Sequence, residues 1–174
     1  MKPRAAKISS YFRWWEVLLL AAGVLGLLGL VWGPRLTINY TSSVPRGLYR
    51  VTGVAPGKGD FTIVRDERIL KFAAKRDYII SGTPIGKRVV ATEGDRACVK
   101  ESGVYINGSK VPHSRPLMFD SEGRRMPSLR RCRRLTTDEI FLMGDKRKSF
   151  DSRYFGAVTP DAPTLVPLFT SDRF

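Results

Sequence analysis

The stretch KRVVATEGDRACVKESGVYINGSKV, residues 87–111, decides the fold class. Short runs of β-branched and aromatic residues alternate here with Gly, Asp, Asn and Ser, which is the pattern of strands joined by turns. Asn107-Gly108 is a strong signal for a tight hairpin turn, and it joins Val104–Ile106 to Lys110–Val111. This stretch therefore predicts antiparallel strands with short connections.

The same pattern continues over most of the chain beyond residue 34. Residues 67–77 carry apolar side chains at helical spacing and predict one short helix. Residues 112–134 are polar, with Gly and Pro, and are expected to form an excursion from the main sheet. The fold class is mainly β with antiparallel sheets. The predicted strands are Leu36–Tyr40, Gly47–Val51, Phe61–Val64, Lys87–Ala91, Ala97–Lys100, Val104–Ile106 and Glu139–Met143.

The chain carries a large excess of basic residues. Its 174 residues include 30 Lys and Arg against 16 Asp and Glu, which gives a formal net charge of +14. Such a charge suits either a nucleic acid or an anionic lipid surface as partner. The cations are dispersed, with the densest cluster at Arg130–Arg134, and no helix-turn-helix or RNP-like pattern accompanies them. The charge therefore favours membrane lipid over nucleic acid.

An uncharged segment precedes the β region. Residues 17–33 read VLLLAAGVLGLLGLVWG, with tryptophans near both ends and four basic residues before the first acid, Glu16. Interfacial tryptophans and a basic N-terminal flank are typical of a membrane anchor whose N-terminus stays in the cytoplasm. At ~1.5 Å per residue the run is short for a hydrocarbon core of ~30 Å.

This segment divides the chain into three parts. We expect a cytoplasmic tail over residues 1–15, a transmembrane anchor over 16–33 and an extracytoplasmic domain over 34–174. A cleaved secretory signal peptide is the alternative. Gly33 offers the best cleavage position, but Pro34 would follow it and should block cleavage.

Two cysteines, Cys98 and Cys132, lie in the expected extracytoplasmic domain. A disulfide between them would suit an oxidising compartment. In the alternative, Cys98 is a small buried apolar residue and Cys132 is a free thiol, and the sequence leaves both open. Together with one histidine the cysteines make no ligand set of zinc spacing, so no metal or cofactor is predicted.

Ser43 and Lys87 are the candidate catalytic residues. A serine hydroxyl is a poor nucleophile unless a base removes its proton. The single histidine, His113, lies in a loop after the hairpin with no carboxylate motif nearby, and we interpret it as a surface or structural residue. A lysine can act as the base when burial lowers its pKa. Lys87 begins a predicted strand, so its side chain can point inward, and the alternative from the residues alone is a solvated surface lysine.

Three segments, in this order, resemble the boxes of a known peptidase family. They are TSSVPRGLY at residues 41–49, KRVVATEGD at 87–95 and GDKRKSFDSRYFG at 144–156. They are similar to the nucleophile, lysine and third boxes of the conjugative-transfer (TraF-type) peptidases, a branch of the type I signal peptidase family. The Ser43-Val44-Pro45 spacing, one residue shorter than in ordinary members, is typical of this branch. The resemblance covers the anchor and nearly all of the domain.

The resemblance implies a serine–lysine peptidase with a signal-peptidase-like fold. Ser43 is then the nucleophile, and Lys87 is the general base that later protonates the leaving amine. The backbone N–H of Ser43 and the hydroxyl of Thr41 would form the oxyanion hole. Thr41 replaces the serine of ordinary signal peptidases and keeps a donor.

The third box implies the supporting residues. Ser149 matches a serine that hydrogen-bonds the lysine and orients it. Asp151 and Arg153 match a buried ion pair behind the lysine, and for Arg153 we expect a purely structural role. Gly144 and Gly156 are expected to be turn glycines without a chemical role.

The resemblance also implies what the enzyme would do. It would remove the leader from an exported precursor, a propilin in the transfer branch, at the inner (cytoplasmic) membrane with the catalytic domain in the periplasm. The conjugative transfer machinery is a further implied partner. Some family members leave a circular pilin, and the sequence does not decide between water and an amine in the last step.

Two other functions remain as alternatives. One is a general type I signal peptidase that serves many secreted proteins. The other is a non-enzymatic bitopic scaffold of a transfer or secretion machine, which would leave the three boxes unexplained.

Overall fold

The computed structural model describes residues 14–32, 35–41, 43–159 and 164–171, with 30–32 as backbone alone. The chain divides into two units, of which the second begins at residue 35. In the first, helix α1 extends over Trp14–Trp32, and the large apolar side chains of residues 14–28 are exposed. No helix in the described ranges is long and apolar enough to cross a membrane. Of the predicted tail and anchor, residues 1–13 and 33 lie outside the described residues.

Within its described residues, the second unit contains strands β1–β10 and two helices. The larger sheet has the order β1-β2-β10-β3-β4-β9 and the smaller has the order β7-β6-β5-β8. All strand pairs within the described residues are antiparallel, so the mainly β, antiparallel prediction is confirmed. The strands are β1 Arg35–Asn39, β2 Gly47–Val51, β3 Phe61–Val64, β4 Ile85–Ala91, β5 Arg96–Lys100, β6 Gly103–Ile106, β7 Ser109–Lys110, β8 Cys132–Arg134, β9 Phe141–Met143 and β10 Thr164–Thr170. The helices are α2 Glu67–Lys75 and α3 Ser152–Phe155.

Helix α2 covers one face of the larger sheet. Asp66 caps its N-terminus by accepting hydrogen bonds from the backbone N–H groups of Arg68 and Ile69. The buried side chains of Ile69 and Ala73 pack with apolar residues of β3, β4 and β9 in one core cluster. Because β4 lies between β3 and β9 and packs against helix α2, five of its seven residues are buried, including Lys87.

The polar segment 112–134 follows β7 of the smaller sheet and lies outside the larger sheet, and its last residues form strand β8 of the smaller sheet. Strand β8 pairs with β5, and Cys98 lies directly opposite Cys132 in this pair. The two cysteines form a disulfide, so the free-thiol alternative is wrong.

Candidate active site

Lys87 lies in the interior of the larger sheet, on β4 between β3 and β9. Its exposed fraction is 1%. Because burial removes the ammonium group from water, it lowers the pKa of Lys87 from 10.5 to about 8. The charge of Asp151 raises this pKa and that of Arg153 lowers it. The amine Nζ donates a hydrogen bond of 3.2 Å to the carbonyl oxygen of Gly86.

Ser43 lies in the loop that joins β1 to β2. The next residue, Val44, is fully buried and packs against β4, where a Cβ built at Gly86 would lie 3.1 Å from its Cγ2. A side chain at residue 86 would therefore push the serine loop away from the lysine strand. The carbonyl oxygen of Ser43 also accepts a hydrogen bond of 2.9 Å from the backbone N–H of Asp145, which follows β9.

The hydroxyl of Ser43 meets the hydroxyl of Ser149, with the two Oγ atoms 3.3 Å apart. Ser149 is buried. Gly144 lies beneath this pair, and a Cβ there would overlap the Ser149 side chain and lie 3.5 Å from Cβ of Ser43. Gly144, predicted to be a turn glycine, has no positive φ, and its lack of a side chain leaves space for Ser149. Gly156, for which the same was predicted, has φ of 86° and follows helix α3 as its C-cap.

Ser43, Lys87 and Ser149 line one cavity of ≈ 580 Å³. No hydrogen bond joins the lysine directly to either serine among the residues that the structure describes. Ser149, which was expected to orient the lysine, contacts the hydroxyl of Ser43 instead. The arrangement thus places a buried amine of lowered pKa and two hydroxyls at the same cavity.

The predicted buried ion pair of Asp151 and Arg153 is present, with neither side chain exposed. Two hydrogen bonds join them, of 2.8 Å from Nε to Oδ1 and 2.7 Å from the guanidinium to Oδ2. Arg153 also donates to the carbonyl oxygens of Arg147 and Ser149, at 3.0 and 2.9 Å. Asp151 accepts from the backbone N–H of Gly144 at 3.0 Å. The pair therefore fixes the loop that carries Ser149.

Thr41 also lines the cavity. Its hydroxyl donates a hydrogen bond of 2.8 Å to Oδ1 of Asn39. The backbone N–H of Ser43 has no hydrogen-bond acceptor among the described residues. Within these described residues, the hydroxyl donor predicted for an oxyanion hole is engaged and the backbone donor is not.

One wall of the cavity was not predicted from the sequence. It comes from the excursion, whose residue Asp120 accepts hydrogen bonds from the hydroxyl of Tyr78, at 2.6 Å, and from Nε of Arg124, at 2.8 Å. Burial raises the pKa of Asp120, but the hydrogen bonds from these two residues outweigh it, so this pKa lies well below the usual range. The polar composition of residues 112–134 gave no signal of where the segment would pack.

His113 is exposed and does not line the cavity, in agreement with its interpretation as a surface residue. Its carbonyl oxygen accepts a hydrogen bond of 3.4 Å from Arg153. In the described part of the chain, no cluster of His, Cys, Asp or Glu side chains has the arrangement of a metal site.

Comparison with protein families gives a match over most of the chain. The family described as signal peptidase, peptidase S26, matches residues 11–164. The plasmid transfer protein TraF of Escherichia coli is 35% identical over 150 residues, which cover 80% of this chain and 81% of that protein. The probable conjugal transfer protein TraF of Sinorhizobium fredii is 30% identical over 149 residues, covering 80% and 78%.

More distant relatives are also found. Signal peptidase I of Bacillus caldolyticus is 34% identical over 110 residues, which cover 57% of each chain. A solved signal peptidase I from Enterococcus faecalis is 19% identical and covers 67% of this chain and 98% of its own, with a TM-score of 0.38.

Proposed function

Because this chain belongs to the signal peptidase family (peptidase S26), in its TraF-type branch, we propose that it is a membrane-attached serine endopeptidase. In this proposal Ser43 is the nucleophile and Lys87 is the general base. The enzyme removes the leader peptide from an exported precursor of a conjugative transfer system.

The burial of Lys87 carries this proposal. Lys87 is 1% exposed, and burying its charged amine costs folding free energy. The same burial lowers its pKa to about 8, so a neutral amine that can accept a proton is accessible near neutral pH. Lys87 lines the same cavity as Ser43, whose backbone N–H is available to an oxyanion. Buried titratable groups with shifted pKa values are concentrated at catalytic sites.

In this proposal the lysine side chain moves towards Ser43, because no hydrogen bond joins the two among the described residues. The amine leaves the carbonyl oxygen of Gly86 and accepts the proton of the Ser43 hydroxyl as Oγ bonds to the scissile carbonyl carbon. The resulting oxyanion accepts a hydrogen bond from the backbone N–H of Ser43. When the C–N bond breaks, the ammonium group of Lys87 returns the proton to the leaving amine. An acyl group then remains on Ser43 Oγ.

Ser149 has a supporting role in this scheme. Its hydroxyl contacts Ser43 before the reaction, and its loop is fixed by the ion pair of Asp151 and Arg153. It can accept a hydrogen bond from Lys87 once the amine has moved away from Gly86. The ion pair acts on the reaction through this loop and through its charges on the lysine.

Membrane attachment through residues 16–33 is also part of the proposal. It is supported by the uncharged run at residues 17–33, by its flanking tryptophans and by the basic residues that precede it. The catalytic domain would then lie on the periplasmic side of the inner membrane, with the N-terminus in the cytoplasm. Fractionation after alkaline extraction would leave an anchored chain in the membrane pellet, and release into the supernatant would contradict the attachment.

The transfer role is supported by the names of the relatives, which are plasmid and conjugal transfer proteins. We therefore take a pilin-type precursor as the proposed substrate. Water attacks the acyl group on Ser43 and frees the leader. A circular pilin needs a separate cleavage in which the carboxyl end of the pilin is the acyl group on Ser43 and the pilin's own amino terminus attacks it, and the mass of the product distinguishes the two outcomes. A general type I signal peptidase is the second candidate, supported by the similarity to signal peptidase I of Bacillus caldolyticus.

The test combines the purified full chain, in detergent, with a candidate propilin and follows the products by mass spectrometry. The wild type should release the leader, whereas Ser43→Ala and Lys87→Ala should release none. A product lighter by one further water would show cyclisation. Cleavage of a panel of unrelated preproteins would favour the general peptidase. If both variants process the propilin normally, the enzymatic proposal fails and the scaffold alternative stands.

A further inference from the structure

Asn39, the last residue of β1, makes five hydrogen-bond contacts with the loop that carries the proposed nucleophile. Its amide nitrogen Nδ2 donates to the carbonyl oxygens of Thr41, Val44 and Pro45, at 2.8, 3.0 and 3.1 Å. Its oxygen Oδ1 accepts from the backbone N–H and the hydroxyl of Thr41, at 3.2 and 2.8 Å. If the amide were flipped, its oxygen would face three carbonyl oxygens and its NH2 group would face the N–H of Thr41. The partners therefore fix the orientation of the amide.

These contacts lie on both sides of Ser43 in the sequence. The carbonyl oxygen of Pro45 also accepts from the buried hydroxyl of Tyr49, and that of Ser43 accepts from the backbone N–H of Asp145. Carbonyl groups on both sides of Ser43 are thus held by partners outside the loop. Asn39 contributes most of them, and its loss would free the loop on the side of Thr41.

The hydrogen bond between Asn39 and Thr41 also determines what Thr41 can do. Oδ1 of an asparagine cannot donate, so the hydroxyl proton of Thr41 must point at Asn39. A hydroxyl has one proton, and Thr41 can therefore donate to an oxyanion only after this hydrogen bond breaks. Asn39 holds the backbone of Thr41 in place during such a rotation, because Oδ1 also accepts from its N–H.

We propose that Asn39 is a positioning residue of the proposed peptidase, and this inference rests on that proposed function. Asn39 acts through the loop: it sets the position of the Ser43 hydroxyl and backbone N–H and holds the Thr41 hydroxyl in its resting orientation. It does not touch the reacting atoms. Neither its sequence position nor the three boxes singled it out.

The test compares two variants of the full chain in detergent on a synthetic peptide that spans the cleavage site mapped with the wild type. Asn39→Ala removes all five contacts. Asn39→Asp keeps the acceptor for Thr41, removes the donor to the carbonyl oxygens and remains informative if the alanine variant does not fold. Both should lower kcat by about 10- to 100-fold and change KM by less than about threefold, because misplacement of reacting groups affects the chemical step.

Asn107→Ala is the matched control. Asn107 also uses both ends of its amide, to Asp95 at 2.7 Å and to the backbone N–H of Arg96 at 2.8 Å, but it lies in the hairpin and does not line the cavity. It should lower Tm and leave kcat within about twofold of the wild type. If Asn39→Ala and Asn39→Asp also stay within twofold, or if they change KM alone, the positioning role is refuted.

A double-mutant cycle with Thr41→Val tests whether Asn39 acts through Thr41. The losses in kcat should be less than multiplicative when Asn39→Ala and Thr41→Val are combined, because each removes the same hydrogen bond. Fully multiplicative losses would contradict the coupling. Ser43→Ala separates this inference from the proposed function. An active Ser43→Ala refutes the proposed serine mechanism, whereas an inactive one together with a fully active Asn39→Ala refutes the role of Asn39 alone.

Discussion

Replacing Asp151 by asparagine should destabilise the domain strongly, because it leaves the buried guanidinium of Arg153 without its counter-charge. Neither side chain is exposed, and the two are joined at 2.7 Å. Removing one partner from such a pair costs about 3–5 kcal/mol, because the remaining charge stays buried. At roughly 2–4 °C per kcal/mol for a domain of this size, Tm should fall by about 6–20 °C.

Thermal unfolding of the full chain in detergent, followed by circular dichroism, measures this change. The matched control is Glu67→Gln, which removes one partner of the exposed pair between Lys71 and Glu67, with side-chain exposures of 78% and 79%. This control should leave Tm unchanged, because exposed ion pairs contribute little. Replacing Asp151 and Arg153 together by Leu and Met should recover part of the loss, since no buried charge then remains unpaired.

A second measurement connects the pair to the proposed catalysis. The charge of Asp151 raises the pKa of Lys87, so Asp151→Asn should lower that pKa below about 8. The rise of kcat/KM with pH should then move towards acid in the folded fraction of the variant. A Tm within about 2 °C of the wild type, or an unmoved pH profile, would refute the account of the pair.

Further predictions concern the lysine, the glycine beneath the serines and the disulfide. Lys87→Arg should abolish cleavage, because a guanidinium stays protonated, and an active variant would contradict the role of a neutral amine. His113→Ala should leave kcat unchanged. Steady-state kinetics measure both variants. Gly144→Ala should lower kcat at least tenfold by separating the two serine hydroxyls, and a crystal structure with both in place would contradict this reason. Cys98→Ser should destabilise the domain by about 3–4 kcal/mol in urea, since the disulfide closes a loop with a sequence separation of 34; an unchanged midpoint would refute that estimate.

Local sequence patterns were sufficient for the strands whose residues alternate with clear turn signals. All seven predicted strands are present, as are the Asn107-Gly108 turn and helix α2. Strand β10 was not predicted. It lies between β2 and β3 in the larger sheet, and its pairing with β2 is irregular beside Pro167. A proline within the run weakens the strand pattern in the sequence, so the position of β10 in the sheet depends on long-range pairing.

Some residues of the candidate site could be predicted from the sequence, and others could not. The resemblance to a peptidase family pointed to Ser43, Lys87 and the ion pair of the third box, whose residues the structure brings to one cavity or beside it. Asn39 and Asp120 were missed, because their contacts depend on how a loop and an excursion pack in three dimensions. An asparagine at the end of a strand has no sequence signal that separates a loop clamp from an ordinary turn residue.

The pH dependence of kcat/KM for the wild type tests the central claim most directly, because the proposed base must be neutral in the free enzyme. With a pKa of about 8, Lys87 is mostly protonated at pH 7, so activity should rise with pH, reach half its plateau near pH 8 and level off about one pH unit higher. Lys87→Ala should lose its activity and with it this rise, whereas His113→Ala should keep the same inflection. A profile that is flat between about pH 6 and 9, or one that rises near pH 10.4 as expected of an ordinary lysine, would contradict the claim.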